Sequence, residues 1–168
     1  MTSFMRSYVR FVDAINYRLG RCIMYGIFVM VGILLWSSIS KTFFLPSLWT
    51  LEMAQFAMVA YYILGGPYSM QMQANVRMDL LYGGWPAKKK MWMDSFTIVF
   101  LLFYLGVMLY GGIDSTMYSL QYGERSPTAW RPYLWPIKIA MCVGIALMIL
   151  QCISELMKDI LRLGGEEV

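Results

Sequence analysis

Four apolar runs, at residues 22–39, 53–70, 96–113 and 135–153, dominate the pattern of this 168-residue chain. Each is 18 or 19 residues long. At a rise of about 1.5 Å per residue, a helix of that length nearly matches a hydrocarbon core of about 30 Å. Lys138 is the one charged residue inside the four windows, and it lies near an end. The pattern predicts an all-α integral membrane protein with four transmembrane helices in a single membrane domain, residues 1–168.

Composition closes off the alternatives. Only 14% of the residues are Asp, Glu, Lys or Arg and 59% are hydrophobic, with a mean hydropathy of +0.54. A soluble domain carries nearer a quarter charged residues, about 25%. No length is left for an appended soluble module. The pI of about 9.0 comes from basic residues flanking the spans, because no basic block exceeds Lys88-Lys89-Lys90. Nucleic acid is therefore not an expected partner. The sequence has no histidine, which removes bis-histidine haem, His-ligated zinc or copper, and His general-base chemistry together. Cys22, Cys142 and Cys152 lie in or beside the apolar runs, far from any C-x-x-C spacing, and read as small packing residues.

The basic residues also predict an orientation. Ten of the 14 fall on one side: Arg6, Arg10, Arg18 and Arg21 before the first run, Arg77 and the lysine triplet between the second and third, and Lys158 and Arg162 after the fourth. By the positive-inside rule both termini are cytoplasmic and the connections 41–52 and 114–134 are outside. Aromatic residues mark the same boundaries: Phe43, Phe44 and Trp49 at one outer edge, Trp130, Tyr133 and Trp135 at the other, and Trp85 and Trp92 beside the lysines. A secretory signal is the competing reading of the first run, since Ser37, Ser38 and Ser40 are small. The run is longer than a signal core, however, and no A-x-A site follows it.

Before the first span, Phe4, Tyr8, Phe11, Val12, Ile15 and Leu19 recur at helical spacing. Residues 1–21 are thus expected to form an amphipathic interfacial helix, with its arginines toward anionic headgroups; a docking arm for a partner subunit is the alternative. Glu52 falls in the first turn of the second span, where a carboxylate complements the positive end of the helix and Thr50 is a possible N-cap. Helix-end or subunit-contact roles are expected for Glu52 ahead of proton coupling. Gly65-Gly66-Pro67 should loosen that helix near its end. Arg77 and Asp79 lie in a short charged and apolar step closed by Gly83-Gly84, and are expected to pair locally or with another chain. In the second outer connection, 122–127 reads as a tight turn bearing Glu124 and Arg125, followed by Arg131 and by Pro136 in a first helical turn.

No G-x-S-x-G, P-loop or G-x-G-x-x-G occurs and no carboxylate pair sits in the spans. Catalytic, cofactor-binding and metal-ligating residues are therefore not expected, nor is an enzyme. The span centres lack the polar groups of a self-sufficient transport path. A stand-alone, proton-coupled four-helix exporter acting as a dimer around Glu52 is the rival reading.

The order of several features resembles the small (Q-type, DctQ-like) membrane subunit of tripartite ATP-independent periplasmic (TRAP) transporters. These are the Trp-x-x-Glu entry at Trp49–Glu52, the small-residue end at Gly65-Gly66, the step from Val76 through Arg77 and Asp79 to Tyr82, the Ser126-Pro127 turn, and the Trp135-Pro136 entry to the last span. Members often have His ahead of the Val–Asp portion; this chain has Asn75. The resemblance covers nearly the whole chain. It implies a bacterial inner-membrane location beside a larger M-type permease subunit that holds the sodium and substrate sites. It also implies a periplasmic P-type binding protein, and sodium-driven uptake of an organic acid. The small subunit would then be a scaffold that contacts membrane lipids, the large subunit and the binding protein, the last through Glu124, Arg125 and Arg131.

Overall fold

The structure, a computed structural model, describes residues 2–72 and 86–163. Among the described residues five helices follow one another: α1 Thr2–Met24, α2 Gly26–Phe43, α3 Thr50–Gln71, α4 Ala87–Tyr122 and α5 Trp135–Leu163. The only paired strand-like residues among those described are Arg125 and Tyr133, in an isolated antiparallel bridge.

The helices overrun the apolar windows that predict them. Hydropathy marks where side chains leave lipid, whereas a helix ends where a breaker stops its hydrogen bonding. The third window ends at 113, yet α4 runs on to Tyr122 and stops only at Gly123, which takes the left-handed conformation (φ 59°) of a C-cap. Residues 114–122 of the expected outer connection are therefore helical. α5 likewise continues to Leu163. α1 and α2 meet at Tyr25 through hydrogen bonds from Tyr25 N to Cys22 O and from Phe28 N to Tyr25 O. That single tightened turn makes 5–43 one apolar helical stretch.

α3 is the helix the others share, packing against α1, α2 and α5, while α4 leans on α5. The first helical stretch runs antiparallel to α3: the Asp13 carbonyl accepts from Gln71, Gly20 faces Tyr68 and Gly26 faces Tyr61, and Ser37 meets Thr50. α3 and α5 run parallel, with Ile63 against Gly144, Gly66 against Met148 and Met70 against Cys152. By length and composition three stretches suffice to cross a membrane: Met5–Phe43, Ser95–Tyr122 and Trp135–Leu161. α3 is less apolar because Tyr61, Tyr62, Gly65, Gly66, Pro67, Tyr68 and Ser69 crowd its second half, and it packs against three other helices.

Two sequence readings change here. α3 continues through Pro67 to Gln71, with the proline ring fully buried. Pro67 has no N–H for the Ile63 carbonyl four residues back, and that carbonyl lies where α5 comes closest. A Cβ added at Gly144 would overlap the Ile63 side chain and sit 3.1 Å from its carbonyl carbon and oxygen. Second, the buried face of α1 is Val9, Val12, Asn16 and Gly20, whereas Phe11 is 67% exposed and Leu19 is 39% exposed. The protein-facing stripe is thus a different one from the apolar stripe read for the lipid interface, and it includes an amide.

The Gly144 contact yields a test. Gly144→Val should cost about 1–3 kcal/mol through overpacking and lower the unfolding temperature of the detergent-solubilised protein. Gly106→Ala is the control, because a Cβ there meets nothing within 4 Å; it should leave stability unchanged or slightly raised.

Candidate functional site

Polar side chains gather at opposite ends of the bundle. At the end formed by α1 and the C-terminal parts of α3 and α5, Asn16 and Gln151 are almost wholly buried. The Asn16 amide donates to Gln151 Oε1 at 2.6 Å. The Gln151 amide donates to Asp13 Oδ1 at 3.0 Å and to Glu155 Oε1 at 3.1 Å. Ser154 donates to the same Asp13 oxygen at 3.2 Å. Lys158 closes the network, 2.8 Å from both Asp13 Oδ2 and Glu155 Oε1. Burial of such groups is tolerable only because nearly every donor finds an acceptor. The Asn16 carbonyl oxygen and, beside the network, Gln71 Oε1 are buried without a hydrogen-bond partner.

Sequence reasoning missed this cluster. Its signal was nevertheless present: Gln151, Ser154, Glu155 and Lys158 recur at the three- and four-residue spacing of one helix face, as do Asp13 and Asn16. Hydropathy windows average such residues away.

At the opposite end, the 123–134 loop is tied down at several points. Glu124 N donates to Ser119 O, Leu134 N to Glu124 O, and Ser126 N to Pro132 O. The Glu124 carboxylate accepts from the buried Ser119 hydroxyl and pairs with Lys138 at 2.7 Å. Those two hydrogen bonds, the lysine's above all, hold the Glu124 carboxyl below the usual carboxylate range. Lys138 also reaches Ser115 O at 3.4 Å, so its charge serves the loop as well as the helix end. The Arg125 guanidinium bonds to the Tyr133 hydroxyl and lies over that ring, 4.2 Å from its centroid. Arg131 is exposed, with its backbone in the left-handed region at φ 52°. Of the three loop residues expected to meet a partner, two are thus engaged within the chain and Arg131 presents its charge outward.

Glu52 occupies the first turn of α3, as expected, but it is buried at 7% exposure and its Oε2 has no hydrogen-bond partner. Thr50 is not the N-cap. Trp49 holds that position without a side-chain bond, while the Thr50 hydroxyl contacts those of Ser37 and Ser47, each at 3.1 Å. Ser37 of α2 draws it across the helix pair, and Ser47 holds it from the connection between the two helices. Arg77 and Asp79 lie outside the described residues. No group of three or more His, Cys, Asp or Glu residues suited to a metal ion occurs among the described residues.

Both clusters make testable demands. Gln151→Leu alone should cost about 1–3 kcal/mol by stranding its buried partners. The Asn16→Leu/Gln151→Leu pair should cost less than the sum of the single changes in a double-mutant cycle. Glu124→Gln should be less stable than the parent at neutral pH. Because folding depresses the Glu124 pKa, its contribution is complete above the ordinary carboxylate range and fades as pH falls through the depressed value. Unfolding temperatures of the two proteins measured against pH should therefore converge in acid.

Residues 30–162 match the family described as tripartite ATP-independent periplasmic transporters, DctQ component. A search of curated proteins and of solved structures gave no match. The matched segment begins within α2 and includes α3, α4 and nearly all of α5, so the whole of α1 precedes it. With four-fifths of its length matched, this chain belongs to the DctQ family, the small membrane component of TRAP transporters.

Proposed function

We propose that this chain is the Q-type subunit of a sodium-driven TRAP transporter taking up an organic acid across a bacterial inner membrane. It crosses the bilayer four times with both termini cytoplasmic, so that the cluster around Asp13 and Lys158 is inside and the 123–134 loop outside. The observation that carries this reading is the large apolar surface that the chain's own helices leave uncovered. On α4, Phe103 is 73% exposed and Tyr110 is 79% exposed; on α2, Phe28 is 71% exposed. Lipid covers part of such a surface, and a larger membrane subunit covers the rest. α3 supports the four-span reading, because a helix sheltered by three others needs less apolar character to reside in a bilayer.

Sodium and substrate are handled by the large M-type subunit, and this chain acts as scaffold and docking surface. The described span centres offer no cluster of oxygen ligands for a cation. The stand-alone exporter has Glu52 in its favour, a buried carboxylate with an unpartnered oxygen, but the family match gives that reading no support.

Affinity purification of the tagged full-length chain from its native membrane should bring down a larger polytopic subunit in fixed ratio. Isolation of a homodimer alone would favour the exporter. Reversing charge with Arg125→Glu/Arg131→Glu should reduce binding-protein-dependent uptake several-fold while complex yield holds; unchanged uptake would remove the loop from the docking surface. Glu52→Gln should lower complex yield but leave the residual uptake sodium-dependent. Normal yield with sodium dependence lost would assign Glu52 to coupling.

A further inference from the structure

A cavity of about 470 Å³ opens on the side of the bundle where the α1–α2 junction, α3 and α5 meet. Its walls, mainly apolar, include Gly20, Met24, Tyr61, Gly65, Tyr68 and Met148. The volume falls within the range of about 300–1,000 Å³ usual for small-ligand sites. Real space remains at its wall. A Cβ on Gly65 would meet nothing within 4 Å, although at neighbouring Gly66 it would strike the end of Met148.

One rim carries an aromatic and cationic stack. The Tyr68 ring, which lines the cavity, lies 5.9 Å from the Tyr17 ring, and the Arg21 guanidinium sits 5.5 Å from the Tyr17 centroid. Arg21 is exposed. Arg18 lies one turn before Arg21 on the same helix and is exposed as well, and the one acid of that helix, Asp13, is committed to Lys158. Arg21 therefore gives this rim a positive charge, with tyrosines at the boundary between polar and apolar surroundings.

We propose that the cavity binds one acyl chain of an anionic phospholipid, with the lipid phosphate held by Arg21. The proposal rests on the orientation given above, which places this rim at the depth of the cytoplasmic headgroups and the Tyr61 end deeper among the chains. Three physical reasons converge on that occupant. A cavity opening sideways into a bilayer meets acyl chains before any other apolar ligand. Tyrosine rings favour the headgroup level. A planar guanidinium fits phosphate oxygens in a two-pronged geometry, and basic pockets between helices on the cytoplasmic side suit anionic headgroups. The Tyr17 stack restrains the guanidinium beside the cavity mouth, so little side-chain freedom is lost on binding.

Native mass spectrometry of the full-length chain, delipidated in neutral detergent, tests the site. Phosphatidylglycerol, phosphatidylcholine of the same chains, and glycerol 3-phosphate are added separately. Phosphatidylglycerol should be retained about fivefold better than phosphatidylcholine, the effect of one membrane-level arginine. Glycerol 3-phosphate should not compete. Arg21→Gln should bring phosphatidylglycerol down to the phosphatidylcholine level, and Gly65→Leu should abolish retention of both lipids. Lys41→Gln, at the other end of α2, should change nothing. If Gly65→Leu lowers the unfolding temperature, Gly65→Ala gives the same readout at smaller amplitude with only a Cβ added.

Equal retention of the two lipids would overturn the headgroup assignment. Undiminished retention in both Gly65 variants would overturn the cavity, and competition by glycerol 3-phosphate would mark a free-phosphate site instead. Co-purification with a larger subunit but no lipid preference would sink this proposal and leave the subunit reading intact. The reverse result would do the opposite.

Discussion

The contact between Ile63 and Gly144 sets the register on which the rest of the bundle depends. Pro67 withholds its N–H from the Ile63 carbonyl, and at Gly144, where α5 has no side chain, the two helices approach closely. From that point the parallel pair advances in step, Gly66 on Met148 and Met70 on Cys152. One turn short of the α3 terminus, Gln151 is thereby positioned to reach across to Asn16 of α1. Within lipid there is little hydrophobic force between helices, so close packing and buried hydrogen bonds must hold them together. Here both follow from where one glycine and one proline fall.

The two ends of the molecule solve different problems. At the end carrying both termini, α1 is held by amides and charges that satisfy one another away from water, which fixes its register as well as its position. At the other end, Glu124 links Ser119 and Lys138, and so ties the last turn of α4 to the first turns of α5 across the loop. Arg125 and Tyr133 clamp the same loop. A loop restrained in this way keeps exposed Arg131 in a fixed setting, which on the proposed docking role would lower the entropic cost of binding. Between the ends, α2 and α4 keep long apolar faces uncovered, as befits a chain that works as part of a larger assembly.

Much of this was legible beforehand, and the misses have common causes. The windows at 22–39, 96–113 and 135–153 each lie within a helical stretch long and apolar enough to cross a membrane, and the order of short motifs pointed to the family that the match then established. Helix ends were misplaced because polarity and helicity stop at different residues, as at 113 and Tyr122. The protein-facing side of α1 was not read at all, because Asn16 counts as polar in any moment calculation, yet here it is a core residue. Thr50 was given a capping role that its hydroxyl does not take, since Ser37 of another helix competes for it. In each case a partner distant in sequence decided.

The amino-acid sequence by itself determined that the chain is helical, largely apolar and fit for a membrane, because chain length, hydropathy and charge placement act locally. It also carried the ordered motifs that define the family. Only the tertiary structure decided which faces are spent internally and which remain for others. That choice depends on contacts between residues far apart in the chain, such as Asp13 with Ser154 at a separation of 141, whose pairing no local pattern encodes. It is why one arginine and a glycine-lined helix pair, unremarkable in a row of letters, meet at the rim of a cavity once α1, α3 and α5 are brought together.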